Sequence, residues 1–148
     1  MLKITTKYVF LYLFGGGLYY TIECLWRGYS HWSMFILGGI CFLFCGIQNE
    51  IVEWSYPLLK QVIISDLFVI CSEFLTGCIV NLGFNWNVWD YSNLSLNILG
   101  QVCPQFALLF FPLCLFAIVL DDYIRYFFFS EEKPKYVLWR WFFCQNQF

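Results

Sequence analysis

Residues 61–84, QVIISDLFVICSEFLTGCIVNLGF, are long and apolar enough to cross a bilayer, yet they carry Asp66, Glu73 and Asn81. A spanning helix needs about 20 predominantly apolar residues, and a charge at its centre costs roughly 2.5–3.5 kcal/mol on insertion scales. At about 100° per residue, Glu73 falls roughly 20° from Asp66, with Gly77 and Asn81 within a further ~80°. One helix therefore presents one polar stripe. Lipid contact along that stripe would be unstable, so the other segments must cover it, neutralise it or let water reach it.

The rest of the chain has the composition for that task. It is 61% hydrophobic and 12% charged, where soluble domains carry about 25% charge, and 148 residues leave room for one integral membrane domain. A net charge of −2 without a basic cluster argues against nucleic acid as a partner. Cys41, Cys45, Cys71, Cys78 and Cys114 fall inside apolar runs, where thiols pack as small apolar groups. Cys24 and Cys103, near the same expected membrane face, are the one pair placed for a bridge. A lone histidine, His31, and the lack of a CxxC give no metal-ligand spacing, and no cofactor is expected.

Four spans are expected. The first, residues 8–26, follows Lys3 and Lys7 but is too long for a signal peptide and lacks a small-x-small site, so it reads as a span. Gly16, Tyr20, Glu23 and Arg27 share a face of it, a small-residue groove below an i,i+4 acid-base pair. The second, residues 32–48, places Gly39 and Gly46 on one face, with Glu50 and Glu53 continuing it. Pro57 makes residues 54–57 the break before the third span, residues 61–84. The fourth, residues 103–120, holds Pro112 mid-span with Gln101 and Gln105 on the same side, and Asp121 and Arg125 beyond it form an exposed i,i+4 pair.

Between the third and fourth spans, NWNVWDYSNLSLNILGQ has no lysine or arginine. Trp86, Trp89 and Tyr91 suit an aromatic belt, and Asp90, Ser92 and Asn93 suit a turn. The segment is an anchoring loop or a lid over the polar interior. The fold is thus an all-α polytopic membrane protein, with residues 1–130 as a four-helix transmembrane domain and 131–148 as a short aromatic and basic tail. Seven of the eight basic residues, Lys3, Lys7, Lys60, Arg125, Lys133, Lys135 and Arg140, fall on the side of the two termini and only Arg27 on the other. The positive-inside bias makes both termini cytoplasmic and the aromatic loop external.

Three stretches in this order, ECLWRGYSHWSMFILGGI, SEFLTGCIVN and NVWDYSNLSLNILGQVC, carry a resemblance. On them the chain resembles the small bacterial membrane proteins labelled ABC-transporter permease, the ABC-transporter type IV or CmpB-like family, over most of residues 10–125. The resemblance implies residence in the bacterial plasma membrane and an ATP-binding partner subunit. The chain itself has no GxxxxGK[ST] phosphate loop, and four spans make too small a bundle for a pathway alone. A permease built from it must form a homo-oligomer or join other membrane subunits.

Two functions fit these residues. In the first, the protein is transporter-like and Glu73, Asp66, Glu23, Asn81 and Gln105 line a polar interior for a cation, a basic or polar solute or protons, beneath an outer loop carrying Trp89, Asp90, Tyr91 and Ser92. In the second, it is a non-transporting interaction, sensor or immunity protein whose polar residues hold a helix assembly together. Interhelical polar contacts average about 0.6 kcal/mol, weak compensation for a central charge, which favours the first. An enzyme is not expected: Asp121 and Asp122 invite acid-base or metal chemistry, but GxSxG, HExxH and a histidine-carboxylate cluster are all lacking.

Overall fold

The hydropathy pattern resolves into four helices. The computed structural model describes residues 2–138, so Arg140 and the rest of the tail beyond Leu138 lie outside it. Helix α1 is Leu2–Arg27, α2 Trp32–Ile51, α3 Leu58–Gly77 and α4 Pro104–Phe129, and a six-residue π-helical turn, Cys78–Gly83, extends α3. At 1.5 Å per residue, 20 residues already cover a ~30 Å hydrocarbon core. All four helices are long and apolar enough to cross a membrane, the third as Leu58–Gly83. Among the described residues the only β pairing is an isolated bridge between Ile98 and Val102.

Local chemistry sets the helix ends. Gly28, at φ +83°, closes α1 with its N–H on the Cys24 carbonyl at 2.8 Å, the left-handed stop that glycine adopts without a Cβ clash. His31 caps α2 by accepting the Ser33 N–H on Nδ1, and α4 starts at Pro104, where a missing N–H costs nothing.

The hub of the bundle is α2, not the polar third span. It packs against α1, α3 and α4, whereas α1 rests chiefly on α2. Close approach explains the tight α1–α2 pair: a Cβ on Gly39 would stand 2.7 Å from the Tyr12 ring and 2.8 Å from its carbonyl oxygen. In lipid, where apolar contact alone drives little association, such small-residue packing holds helices together. On the other side of α2, Cys45, Leu58, Val62, Cys114 and Ile118 form a core shared with α3 and α4. Gln48 donates to Ser65 Oγ at 2.5 Å and to the Gln61 carbonyl at 3.3 Å.

The chain ends and the α2–α3 connection meet at one end of the bundle, hereafter the terminal end. Lys7 Nζ lies 2.7 Å from Glu50 and 2.8 Å from Glu131, and the Leu58 N–H donates to the Val137 carbonyl at 2.9 Å. Two expectations need correction here. Asp121 and Arg125 are not an exposed pair: they are 0% and 2% exposed, bonded to each other, with Arg125 also paired to Glu50. The reason is Gly46 on α2, where any Cβ would overlap the Asp121 carboxylate, so bare backbone makes room for the acid. Asp122 is buried as well and accepts from Asn49 at 2.6 Å and Tyr136 at 2.8 Å. Burial, followed by Asp122, holds the Tyr136 phenol above the usual tyrosine range, so it serves as a donor.

The second correction concerns Trp89. A belt tryptophan would face the interface, but Trp89 is buried and donates its indole N–H to the Gln101 carbonyl at 2.9 Å. Belt positions at this opposite end, hereafter the loop end, fall to the exposed Trp26, Trp32, Phe84 and Trp86, the last three with His31 in one aromatic cluster.

Candidate functional site

Residues 84–103 close the loop end of the bundle as a pinned lid. Asn81, at the end of the polar stripe, accepts the Val88 N–H on Oδ1 at 2.7 Å and donates to Gln101 Oε1 at 2.8 Å. Arg27 of α1 donates to the Val88 carbonyl at 2.8 Å while its guanidinium lies 2.8 Å from Glu23, which also holds the Ser30 hydroxyl. From the lid, the Tyr91 hydroxyl reaches down to Glu73 Oε1 at 3.0 Å, and its ring stacks on Phe106 of α4 with centroids 4.4 Å apart. The Tyr91 phenol is held above its usual range by burial first and by Glu73 second, so it remains the donor of that bond.

Glu73 is 3% exposed. It lies ten residues before Gly83, roughly 15 Å from the loop end of its span, about half the thickness of a hydrocarbon core. Its surroundings are apolar. Helices α1 and α4 meet near the terminal end, where Phe10 touches Phe128 and Phe129 and Leu11 packs near Ile124, then leave a cleft toward the loop end. The deeper part is a slot of about 80 Å³ walled by residues such as Leu18, Phe42, Cys45 and Ala117, in which Glu73 is the one charged residue. Tyr19, Ile22, Phe110 and Leu113 line both this slot and a wider chamber of about 460 Å³ that opens at Glu23, Trp26, Arg27, Trp89 and Tyr91. Slot and chamber form one cleft.

The expected site residues therefore divide. Glu73 and Glu23 line the same cleft, one in the slot and one in the chamber, and Tyr91 and Trp89 reach it from the lid. Asn81 is buried but holds the lid. Asp66 is half-buried, lines neither part of the cleft and leaves Oδ1 without a hydrogen bond. Gln105 is exposed and donates to Ser95 Oγ at 3.0 Å, and Pro112 is exposed too. Asp90 and Ser92 form a local turn, the Ser92 N–H lying 2.8 Å from Asp90 Oδ1. Among the described residues the seven cysteines, Cys24 and Cys103 included, are free thiols, and no cluster of three or more His, Cys, Asp or Glu is arranged for a metal.

Residues that a sequence reading passes over as site components are Tyr19, Ile22, Phe110 and Leu113, which shape the junction of slot and chamber, and Phe106, which lines the chamber. In an apolar run nothing marks such side chains. Arg27 and Gln101 do carry a signal: each is a polar residue at a span boundary with a partner one turn or one loop away.

A family model described as "Putative ABC-transporter type IV" matches residues 4–144, beyond both ends of the 10–125 stretch that carries the sequence resemblance. No curated protein and no solved structure matches the chain.

Proposed function

We propose, on the premise that the chain belongs to the type IV ABC-transporter family, that this multi-pass membrane protein is a permease-like transport subunit whose solute site is the Glu73 cleft between α1 and α4. The observation that carries this reading is the isolation of Glu73: a carboxylate midway along its span, in an apolar wall, with a phenol for its hydrogen-bond partner. A purely structural carboxylate at that depth would need a cationic partner or a set of donors to offset its insertion cost. A solute that brings the missing charge or donors supplies them on binding.

The protein works in the bacterial plasma membrane with its terminal end cytoplasmic and the lid outside, as the distribution of basic residues favours. Other copies of the chain, or other membrane subunits, complete the pathway that four helices are too few to form. An ATP-binding subunit drives it from the terminal end, and the chain itself is not an enzyme. The test is uptake of a panel of labelled amino acids, polyamines and organic cations by proteoliposomes holding the full chain with its co-purified partners. Glu73→Gln keeps the shape and the Tyr91 bond, and is expected to lower uptake at least tenfold at unchanged protein yield. Unaltered uptake by that variant removes Glu73 from the mechanism.

A further inference from the structure

The form of the cleft narrows the class of molecule it can take. The slot is apolar on every side but one, and a cavity of that lining stays dry yet accepts apolar atoms. It is too narrow for a solute carrying a hydration shell. The chamber above it falls within the ordinary size of small-molecule sites. Its walls hold the Tyr19, Tyr91, Phe106 and Phe110 rings, close around the place where Tyr91 bonds Glu73. Aromatic faces attract cations through the ring quadrupole, by about 2 kcal/mol or more once the cation is desolvated, and the Glu73 carboxyl adds the opposite charge when it gives up its proton to solvent as the cation binds. The charges that line the chamber, Glu23 and Arg27, already neutralise each other at 2.8 Å, which leaves Glu73, in the adjoining slot, to set the sign. Because α1 and α4 diverge above Phe10 and Phe129, the cleft lies between them, with α2 and α3 supplying the rest of the slot's wall, Leu37, Cys41 and Glu73 among it.

We infer that the α1–α4 cleft binds a lipophilic organic cation, its cationic centre held between Glu73 and the aromatic rings of the chamber and part of its apolar body in the slot. This rests on the transport reading only for the fate of the cation once bound. The cation comes with its own countercharge for Glu73, so the pair forms in a dry site without leaving either charge alone. Leu113 lines both slot and chamber, so its size controls passage from one to the other.

The experiment is equilibrium binding of tetraphenylphosphonium to the full chain in lipid nanodiscs, corrected for partition into empty nanodiscs, beside its charge-reversed analogue tetraphenylborate. The cation is expected to bind saturably and the anion not to. Glu73→Gln should weaken the cation at least tenfold, and Leu113→Trp, a half-buried site with Glu73 left in place, should weaken it comparably by narrowing the junction. Melting of each variant by near-UV circular dichroism identifies any that fails to fold. Equal binding of cation and anion would mean a slot that merely takes up apolar matter, and unchanged binding in Glu73→Gln would mean recognition elsewhere; either overturns the inference. Failure of the transport reading looks different: Glu73-dependent binding of the cation with no uptake into proteoliposomes. Glu73-dependent uptake of a small hydrophilic solute with no cation binding would sink the ligand class and keep transport.

Discussion

The terminal end of the bundle and its middle hold the same kinds of acidic residue in opposite situations. At the terminal end, Asp121 and Glu50 have Arg125 and Lys7, and Asp122 has Asn49 and Tyr136. Midway along its span, Glu73 is as buried as Asp122, but its hydrogen bond comes from one tyrosine and its wall is apolar. Burial alone thus does not distinguish a structural carboxylate from a working one; the inventory of partners does. Where cations and donors surround an acid, removing one should cost stability, and where they are missing, removing the acid should cost function.

The sharpest way to break this contrast is Arg125→Met. It strands Asp121 and Glu50 without their guanidinium, and loss of one member of a buried ion pair typically costs about 3–5 kcal/mol. Denaturant unfolding in mixed micelles measures it, with Glu73→Gln expected to change stability by less than about 1 kcal/mol. If the two variants swapped effects, the contrast would be inverted. Gly46→Leu comes next: the new side chain occupies the Asp121 carboxylate's place and should cost about 1–3 kcal/mol or more, read in the same assay. Asn81→Leu leaves the Val88 N–H and Gln101 Oε1 unsatisfied and should cost about 1–3 kcal/mol while raising hydrogen exchange across residues 84–103. Unchanged exchange there would mean that the lid is held by other contacts.

The smallest effect belongs to Asp90, fully exposed on the lid. The Ser92 hydroxyl and N–H hold its carboxyl below the usual carboxylate range. Its folded-state pKa is depressed, so the turn's support is present above the ordinary value of about 3.9 and disappears as pH falls through the lowered one. An NMR titration should show the Ser92 amide shifting only in that acidic window. A shift centred near neutrality would exclude Asp90 as its cause.

The spans and the break between the second and third were legible because hydropathy and Pro57 are local signals. So was Glu73, since a carboxylate inside an apolar run announces itself. The surroundings of each acid were not. Asp121 and Arg125 show as a pair by their spacing, but their burial depends on Gly46, 75 positions earlier on another helix. Trp89 and Trp86 differ by three residues in one loop, yet one turns inward onto the Gln101 carbonyl and the Met34, Leu37 and Val80 cluster while the other, exposed, joins the His31, Trp32 and Phe84 rings, partners that no local pattern names. The central place of α2 escapes the hydropathy profile too, because lipid-facing and helix-facing apolar residues read alike.

The central place of α2 has a consequence for biogenesis. Chains emerge from the ribosome amino end first, so the α1–α2 hairpin, held by Tyr12 against Gly39 and by Lys7 beside Glu50, is made before α3 and α4. It then offers the later helices a finished template: Cys45 and Gln48 for α3, and bare Gly46 with a waiting glutamate for α4. Arg125, which brings Asp121 with it on α4, arrives after Glu50, its second acid, is in place.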